Sequence, residues 1–463
     1  MNPYDPCVCN KLIDGAQMTI TWHVDDLKIS HASDDVISSV IKWLESIYGT
    51  LDASRGPRHS YLGMDLDYAT PGKVKVSMEQ FTRKILDEFP KPLPKTAESP
   101  AAETLFNVRD KDDPRRRPLP EERAQQFHRT VAQLLFLVVR PRRDCRTAVA
   151  FLTTRVSDPD EDDWMKLRRV LRYLKRNPSL ALTLEADNLG LIHWHVDASF
   201  AVHADMKSHT GGTMSLGKGS VIDTSHKQKL NTRSSTEAEL VGADDIVTRM
   251  QWAQLFIDAQ GYTYNTVLHQ DNESAIRLEL NGKRSSSKRT RHLNIRYFYI
   301  TDQLDQGWLT VRHCPTEDMI GDFFTKPLQG QLFRRLRGLV MNCPADISPE
   351  YMCPRTAVPE DTGVCWGDRP TSNLEPQSAD WDTERTDDGL TGTGEGRTDR
   401  RTVTPPPDHG LTPDRPRPPR PPTLLEVLKS GSRGRIGTRP LTEKLTAYGQ
   451  LTGSFFTLGS LFR

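Results

Sequence analysis

At 463 residues, 36% of them hydrophobic, the chain has material for two or three modest cores at roughly 100 to 200 residues each, and a single domain is not expected. Its 62 Lys and Arg balance 61 Asp and Glu, so a net charge of +1 gives no argument for a polyanionic partner, and any such signal must come from local clusters. Seven cysteines (Cys7, Cys9, Cys145, Cys314, Cys343, Cys353, Cys365) without a CxxC pair predict free thiols in a reducing compartment. The start MNPYDPCVCNK lacks a basic, apolar leader, and the longest apolar run, Leu134 to Val139, is too short for a bilayer, so neither secretion nor membrane insertion is expected.

In chain order, Asp14-Gly15 is a hairpin signal, MTITWHVDDLKIS reads as two short strands around a turn, and Pro71-Gly72 joins YLGMDLDY to KVKVSM as a second hairpin. Between them Val36, Val40, Ile41, Leu44, Ile47 and Tyr48 recur at helical spacing, with Ser33 to Asp35 as the start and Gly49 as the stop. Residues 90 to 120, rich in proline and charge, read as an exposed connection. A helical block follows, whose clearest member starts at Asp158-Pro159-Asp160-Glu161, read as cap, N1 proline and capping-box glutamate, and buries Trp164, Leu167, Leu171 and Leu174. Its other face carries Lys166, Arg168, Arg169, Arg172, Lys175 and Arg176, which fits a solvated surface and equally a phosphate-backbone contact.

From Leu191 to about Leu328 the order is three strands, helix, strand, helix, basic segment, helix, strand, helix, an α/β pattern. Beyond Met341 the periodicity ends and Pro, Arg, Asp, Gly and Thr dominate, which predicts a disordered tail.

Hydrolysing a phosphodiester near neutral pH calls for divalent cations held by acidic groups from several chain segments, each at the edge of a regular element. Asp197 lies in the strand LIHWHVDASF, Asp271 ends TVLHQD before a helix, and Asp322 sits in the short helix after WLTVRHC. Glu239 can be given a direction. Counting back by 3.6 along the stripe Ala243, Ile246, Met250, Ala253 and Ile257 lands on it, so it points inward, where an unpaired charge costs several kcal/mol. A buried hydrogen-bonded acid is the competing reading, and Glu237, on the opposite face, is assigned to capping with Ser234.

The phrases RSSTEAEL, LHQDNESAIRL, KRTRHLNIRYF and DMIGDFFTKPL resemble the ribonuclease H domain of copia-type retrotransposon Pol polyproteins. The run RTVAQLLFLVVRPRRDCRTAVAFLTTRVSDPDEDDWMKLRRVLRYLK resembles the connection preceding that domain, and WHVDDLKISH with HSYLGMDLDY the end of a reverse-transcriptase palm. The resemblance implies a multi-domain α/β chain: the C-terminal part of a palm over 1–90, a linker and helical thumb or connection over 91–189, and a ribonuclease H-like mixed five-stranded sheet over 190–330. A short helix and a disordered Pro/Arg-rich tail are expected over 331–463. It assigns Asp197, Glu239, Asp271 and Asp322 as catalytic ligands of two Mg²⁺ or Mn²⁺ ions that cleave the RNA strand of an RNA/DNA hybrid. Lys283, Arg284, Lys288, Arg289 and Arg291 would grip the hybrid's phosphates.

The chain departs from that pattern at DTSHKQK and ASFAVHADMKSHTGG, which bear on strand packing more than on chemistry. His313 is read as a strand residue. His193, His195, His203 and His209, without a cysteine partner, are not read as a zinc site. HVDD matches the family's YVDD turn, making Asp25 and Asp26 candidate metal ligands of the polymerase. With only twenty-four residues before Asp25, a further upstream carboxylate has no room, so no DNA polymerisation is expected. The alternatives are an inactive remnant that only binds nucleic acid and, on the tail alone, a host interaction protein. Other retroelement Pol or Gag products are possible partners, no membrane is expected, and the setting is intracellular, in cytoplasm or particle with possible nuclear access.

Overall fold

A computed structural model describes residues 1–343 except 91, 188–189 and 283–293, and only the backbone of 294–298. The expected tail beyond residue 343 therefore lies outside the described residues. Strands β1 (Val8–Ile13), β2 (Ala16–His23) and β3 (Asp26–Ser30) form an antiparallel sheet. Both turns are two residues long. Asp14 and Gly15 take positive φ, as such a turn demands, and Val24 at φ 54° does so against the preference of a β-branched side chain. Helix α1 (Asp34–Tyr48) follows and ends at Gly49; of its apolar stripe only Leu44 is fully buried.

Next come β4 (Arg58–Tyr61), β5 (Met64–Asp67), β6 (Lys73–Ser77) and α2 (Glu79–Asp87), with β5 and β6 paired across Pro71-Gly72 as expected. The segment 92–118 that follows corrects the reading of an exposed connection, since Leu93, Ala97, Ser99, Ala101, Leu105 and Phe106 are all buried. Helices α3 (Glu121–Val138), α4 (Arg146–Thr153) and α5 (Glu161–Arg176) succeed it, with a 3-10 turn over Arg143–Cys145 ahead of α4.

The start of α5 also differs from expectation. Asp160 is the cap, accepting from Asp163 N at 3.0 Å while Asp163 returns a bond to Asp160 N at 3.2 Å. Asp158 is instead paired with Arg116 at 2.8 Å. The apolar stripe of α5 is buried as read, and its basic face, with Lys175 and Arg176 exposed and the other four cations half-buried, reaches across to the preceding segment. Lys166 donates to the Asn107 carbonyl (2.5 Å), Arg168 to Pro92 (3.1 Å), Arg172 to Lys95 (3.2 Å) and Lys175 to Leu93 (2.7 Å), Arg169 reaches Ser99 Oγ (3.0 Å), and Arg176 pairs with Glu98 (3.0 Å). A strap without ladder hydrogen bonds must satisfy its carbonyls elsewhere, and the cations of α5 supply the donors.

After β7 (Leu182–Ala186) come β8 (Leu191–Ser199), β9 (His209–Ser215), β10 (Gly217–Lys218), β11 (Ile222–Lys227), α6 (Ser235–Ala259), β12 (Asn265–Gln270), α7 (Glu273–Asn281), α8 (Asn294–Asp305), β13 (Leu309–His313), α9 (Asp322–Thr325) and α10 (Gly330–Met341). One five-stranded antiparallel sheet runs β10-β7-β6-β5-β4 and so draws on chain before and after the helical block. The other runs β11-β9-β8-β12-β13, with β8, β12 and β13 mutually parallel and β9 and β11 antiparallel to their neighbours. A continuous set of buried side chains links Leu66, Leu134 and Trp164 to Trp194, Met250 and Phe333. No helix among the described residues is long and apolar enough to cross a membrane.

Candidate metal centre

Alternation along β8 sends Val196 to the α6 side of the sheet, where Ile246 also reaches, and Asp197 to the side covered by α9. Asp197 is buried among close neighbours. Gly321, just ahead of α9, has room for no side chain, because a Cβ there would stand 2.9 Å from that of Asp197. The hydroxyl of Thr325 donates to Asp197 Oδ2, and Lys326 Nζ lies 3.8 Å from the same oxygen.

Helix α6 delivers the second carboxylate as its periodicity requires. Ala243, Ile246, Met250, Ala253 and Ile257 are all buried, and Glu239, one turn back on the same stripe, is only 5% exposed. Ser234 caps the helix by accepting from Glu237 N at 3.2 Å, while the Glu237 carboxylate takes the amide of Arg233 at 2.8 Å. The third carboxylate, Asp271, directly follows β12, which lies parallel beside β8, and accepts from Thr316 Oγ1 at 3.2 Å.

Carboxylate oxygens of Asp197, Glu239 and Asp271 lie within 4.8 Å of one another, and among the described residues no other group of three His, Cys, Asp or Glu gathers this closely. Asp322, at the first position of α9, stands by Asp197 but engages Lys326 Nζ at 2.5 Å. Burial raises Asp197 above the usual carboxylate range, with Lys326 opposing it. Burial, then the charges of Asp197 and Asp271, push Glu239 well up, and burial with the Asp197 charge brings Asp322 to about 7. Acids this close cannot all ionise in a buried place without a compensating cation. An all-oxygen donor set under that strain fits a hard divalent ion such as Mg²⁺ or Mn²⁺.

The other sequence candidates fall elsewhere. Asp25 and Asp26 are exposed at the β2–β3 turn, and no third acidic group gathers with them among the described residues. Lys283, Arg284, Lys288, Arg289 and Arg291 lie outside the described residues. His313 ends β13 as a strand residue. His193 hydrogen-bonds His269 at 3.1 Å and His203 bonds His209 at 3.0 Å, so these rings satisfy one another in pairs. Sequence reasoning missed Thr325 and Lys326, although the i, i+4 spacing of Asp322 and Lys326 on a helix was available as a signal.

The fold is thus a mixed α/β one whose five-stranded sheet carries one carboxylate on its central strand and a second at the end of the adjacent parallel strand, with a third from the helix that precedes the latter in the chain. No family model matches the chain. It is 26% identical over 348 residues to the retrovirus-related Pol polyprotein from transposon TNT 1-94 of Nicotiana tabacum, covering 73% of this chain and 25% of that protein. It is 32% identical over 212 residues to the Pol polyprotein from transposon RE2 of Arabidopsis thaliana, covering 45% and 14%. A foamy viral protease-reverse transcriptase solved in complex with RNA/DNA hybrid aligns at a TM-score of 0.38 and 13% identity, over 64% of this chain and 36% of that one. The chain is similar to a part of the Pol polyproteins of copia-type retrotransposons. It spans a quarter or less of the length of these Pol relatives.

Proposed function

We propose that the chain is a metal-dependent endonuclease that cleaves the RNA strand of RNA/DNA hybrids. The observation that carries this reading is the convergence of Asp197, Glu239 and Asp271, from three separate elements, to within 4.8 Å. These three, with Asp322 beside Asp197, would hold the ions. Bound there, two Mg²⁺ or Mn²⁺ would supply an activated water and stabilise the departing 3′ oxygen, the chemistry of two-metal phosphodiester hydrolysis leaving 5′-phosphate ends. The protein's own part is positional. Thr325 fixes one oxygen of Asp197, Thr316 fixes one of Asp271, and Lys326 supplies a positive charge that draws a phosphate toward the cluster. Selection of the RNA strand would rest on its 2′-hydroxyls.

The nuclease is proposed rather than a polymerase, because Asp25 and Asp26 stand apart from any third carboxylate among the described residues. An RNA/DNA hybrid is the proposed partner, with other Pol or Gag products secondary. An intracellular setting is proposed with it, in keeping with the free thiols of Cys7, Cys9, Cys145, Cys314 and Cys343.

The test is Mg²⁺-dependent cleavage of a labelled RNA/DNA hybrid by the full chain beside Asp197→Asn and Asp271→Asn. Cleavage by the parent chain alone supports the reading. Equal activity in all three would overturn it, and hybrid binding without cleavage in all three would favour a remnant that only binds nucleic acid.

A further inference from the structure

Helix α9 has four residues, and its one internal bond of the α-helical type is Lys326 N to the Asp322 carbonyl at 2.9 Å. The next three carbonyls have no amide partner within the helix and need donors from elsewhere. Each receives a hydroxyl from a different segment. Ser199 of β8 donates to the Thr325 carbonyl at 3.3 Å, Ser225 of β11 to Phe324 at 2.8 Å, and Thr147 of α4 to Phe323 at 2.7 Å. Two of these come from the mixed sheet itself. The third comes from the helical block that precedes it.

That block is fastened on both sides of α9. Arg143 pairs with Asp223 of β11 and donates to the Val221 carbonyl at 2.7 Å, and Arg146 pairs with Asp223 at 2.7 Å, so α4 is pinned to the edge strand. Just beyond α9, Gln329 donates to the Ala101 carbonyl at 2.6 Å and accepts from Ser99 Oγ at 2.7 Å and from Arg169 of α5 at 3.2 Å. Asp322, Thr325 and Lys326 thus sit on a segment too short to hold its own shape, between two anchors from the chain before the sheet.

We infer that α4 is a positioning element of the candidate nuclease site and that Thr147 is its positioning residue, setting α9 and with it the side chains that border Asp197. The inference rests on the nuclease reading for its kinetic consequence but not for its structural one. A displacement of order 1 Å near reacting groups costs up to about a hundredfold in rate, and loss of one of three tethers is placed at about tenfold.

The test uses the full chain with Thr147→Val, which keeps shape and removes the donor, and Thr147→Ser, which keeps the donor. Expected for Thr147→Val is a kcat for Mg²⁺-dependent hybrid cleavage about tenfold lower at unchanged KM, with faster hydrogen exchange at the amides of residues 322–326 and unchanged exchange in β8. Thr147→Ser restores both. Should Thr147→Val fail to fold, Arg146→Gln, which loosens α4 from Asp223 at a partly exposed position, is expected to move exchange at 322–326 in the same direction. Parental kcat and parental exchange in the variants would overturn the inference, as would a loss that Thr147→Ser does not restore. If the parent chain cleaves no hybrid, the nuclease reading falls, and exchange at 322–326 alone decides the tether.

Discussion

Gly211 lies directly across from Asp197 in the β8–β9 ladder, and a Cβ at Gly211 would stand 2.5 Å from Thr325 Cγ2 and 2.7 Å from the Phe324 carbonyl carbon. The absence of a side chain there lets α9 lie flat against the sheet and brings the Thr325 hydroxyl onto Asp197. Gly211→Ala is therefore expected to push α9 outward. Overpacking of this kind costs about 1–3 kcal/mol, read in urea unfolding, and hybrid cleavage should fall more than stability alone explains. Full activity in the folded variant would contradict the packing argument.

Glu239 faces Asp197 and Asp271 from a buried position, so it opposes folding when no cation is bound. Glu239→Gln is expected to raise the unfolding midpoint of the metal-free chain while abolishing Mg²⁺-dependent cleavage. The parent should gain stability on adding Mg²⁺, because an ion that binds only the folded state stabilises it by mass action, by about 2.7 kcal/mol at a hundred times its Kd. Thermal melts of both proteins, with Mg²⁺ and with a chelator, check the pair of expectations.

Glu279 of α7 is fully buried, and Gln270 donates to its carboxylate at 2.8 Å once the Gln270 amide is oriented to satisfy both groups. Burial, with the Gln270 bond opposing, raises it from 4.5 to about 8. A carboxyl raised in the folded state gives stability that is complete below 4.5 and is lost as pH climbs toward 8. Stability of the parent should thus decline across that window relative to Glu279→Gln, with a slope of at most about 1.4 kcal/mol per pH unit. Parallel pH profiles for the two would remove Glu279 as the cause.

Asp144 is buried between Arg142, which reaches it at 2.8 and 3.0 Å, and the Tyr173 hydroxyl at 2.7 Å, and Arg337 in turn donates to that hydroxyl at 2.9 Å. Removing the acid strands a buried guanidinium. Asp144→Ala is expected to cost about 3–5 kcal/mol in denaturant unfolding, and Arg142→Met with Asp144→Leu much less, since replacing both charges leaves none unpaired.

Legibility in the sequence followed the range of the interactions. The hairpin at Asp14-Gly15, the stripe of α5 and the inward direction of Glu239 each depend on residues within a few turns, and each appears as read. Pro159 drew the start of α5 two residues too early, because the competing pair between Asp158 and Arg116 joins positions 42 apart. Segment 92–118 looked exposed for the same reason: its composition records prolines and charges, whereas Leu93, Leu105 and Phe106 are buried in a core shared with a helix some seventy residues later, whose cations also meet its carbonyls.

The sequence by itself determined which acids were candidates for the metal centre and the order of strands and helices around them, since residue type and periodicity are local properties. Only the tertiary structure decided how those acids meet. Asp197 and Asp271 become neighbours because β8 and β12 pair in parallel, and Asp322, Thr325 and Lys326 reach Asp197 because two glycines leave no side chain in the way. The carbonyls of α9 are completed by Thr147, 176 residues earlier than Phe323. A four-residue helix cannot satisfy its own backbone, so its position is set by whatever folds against it.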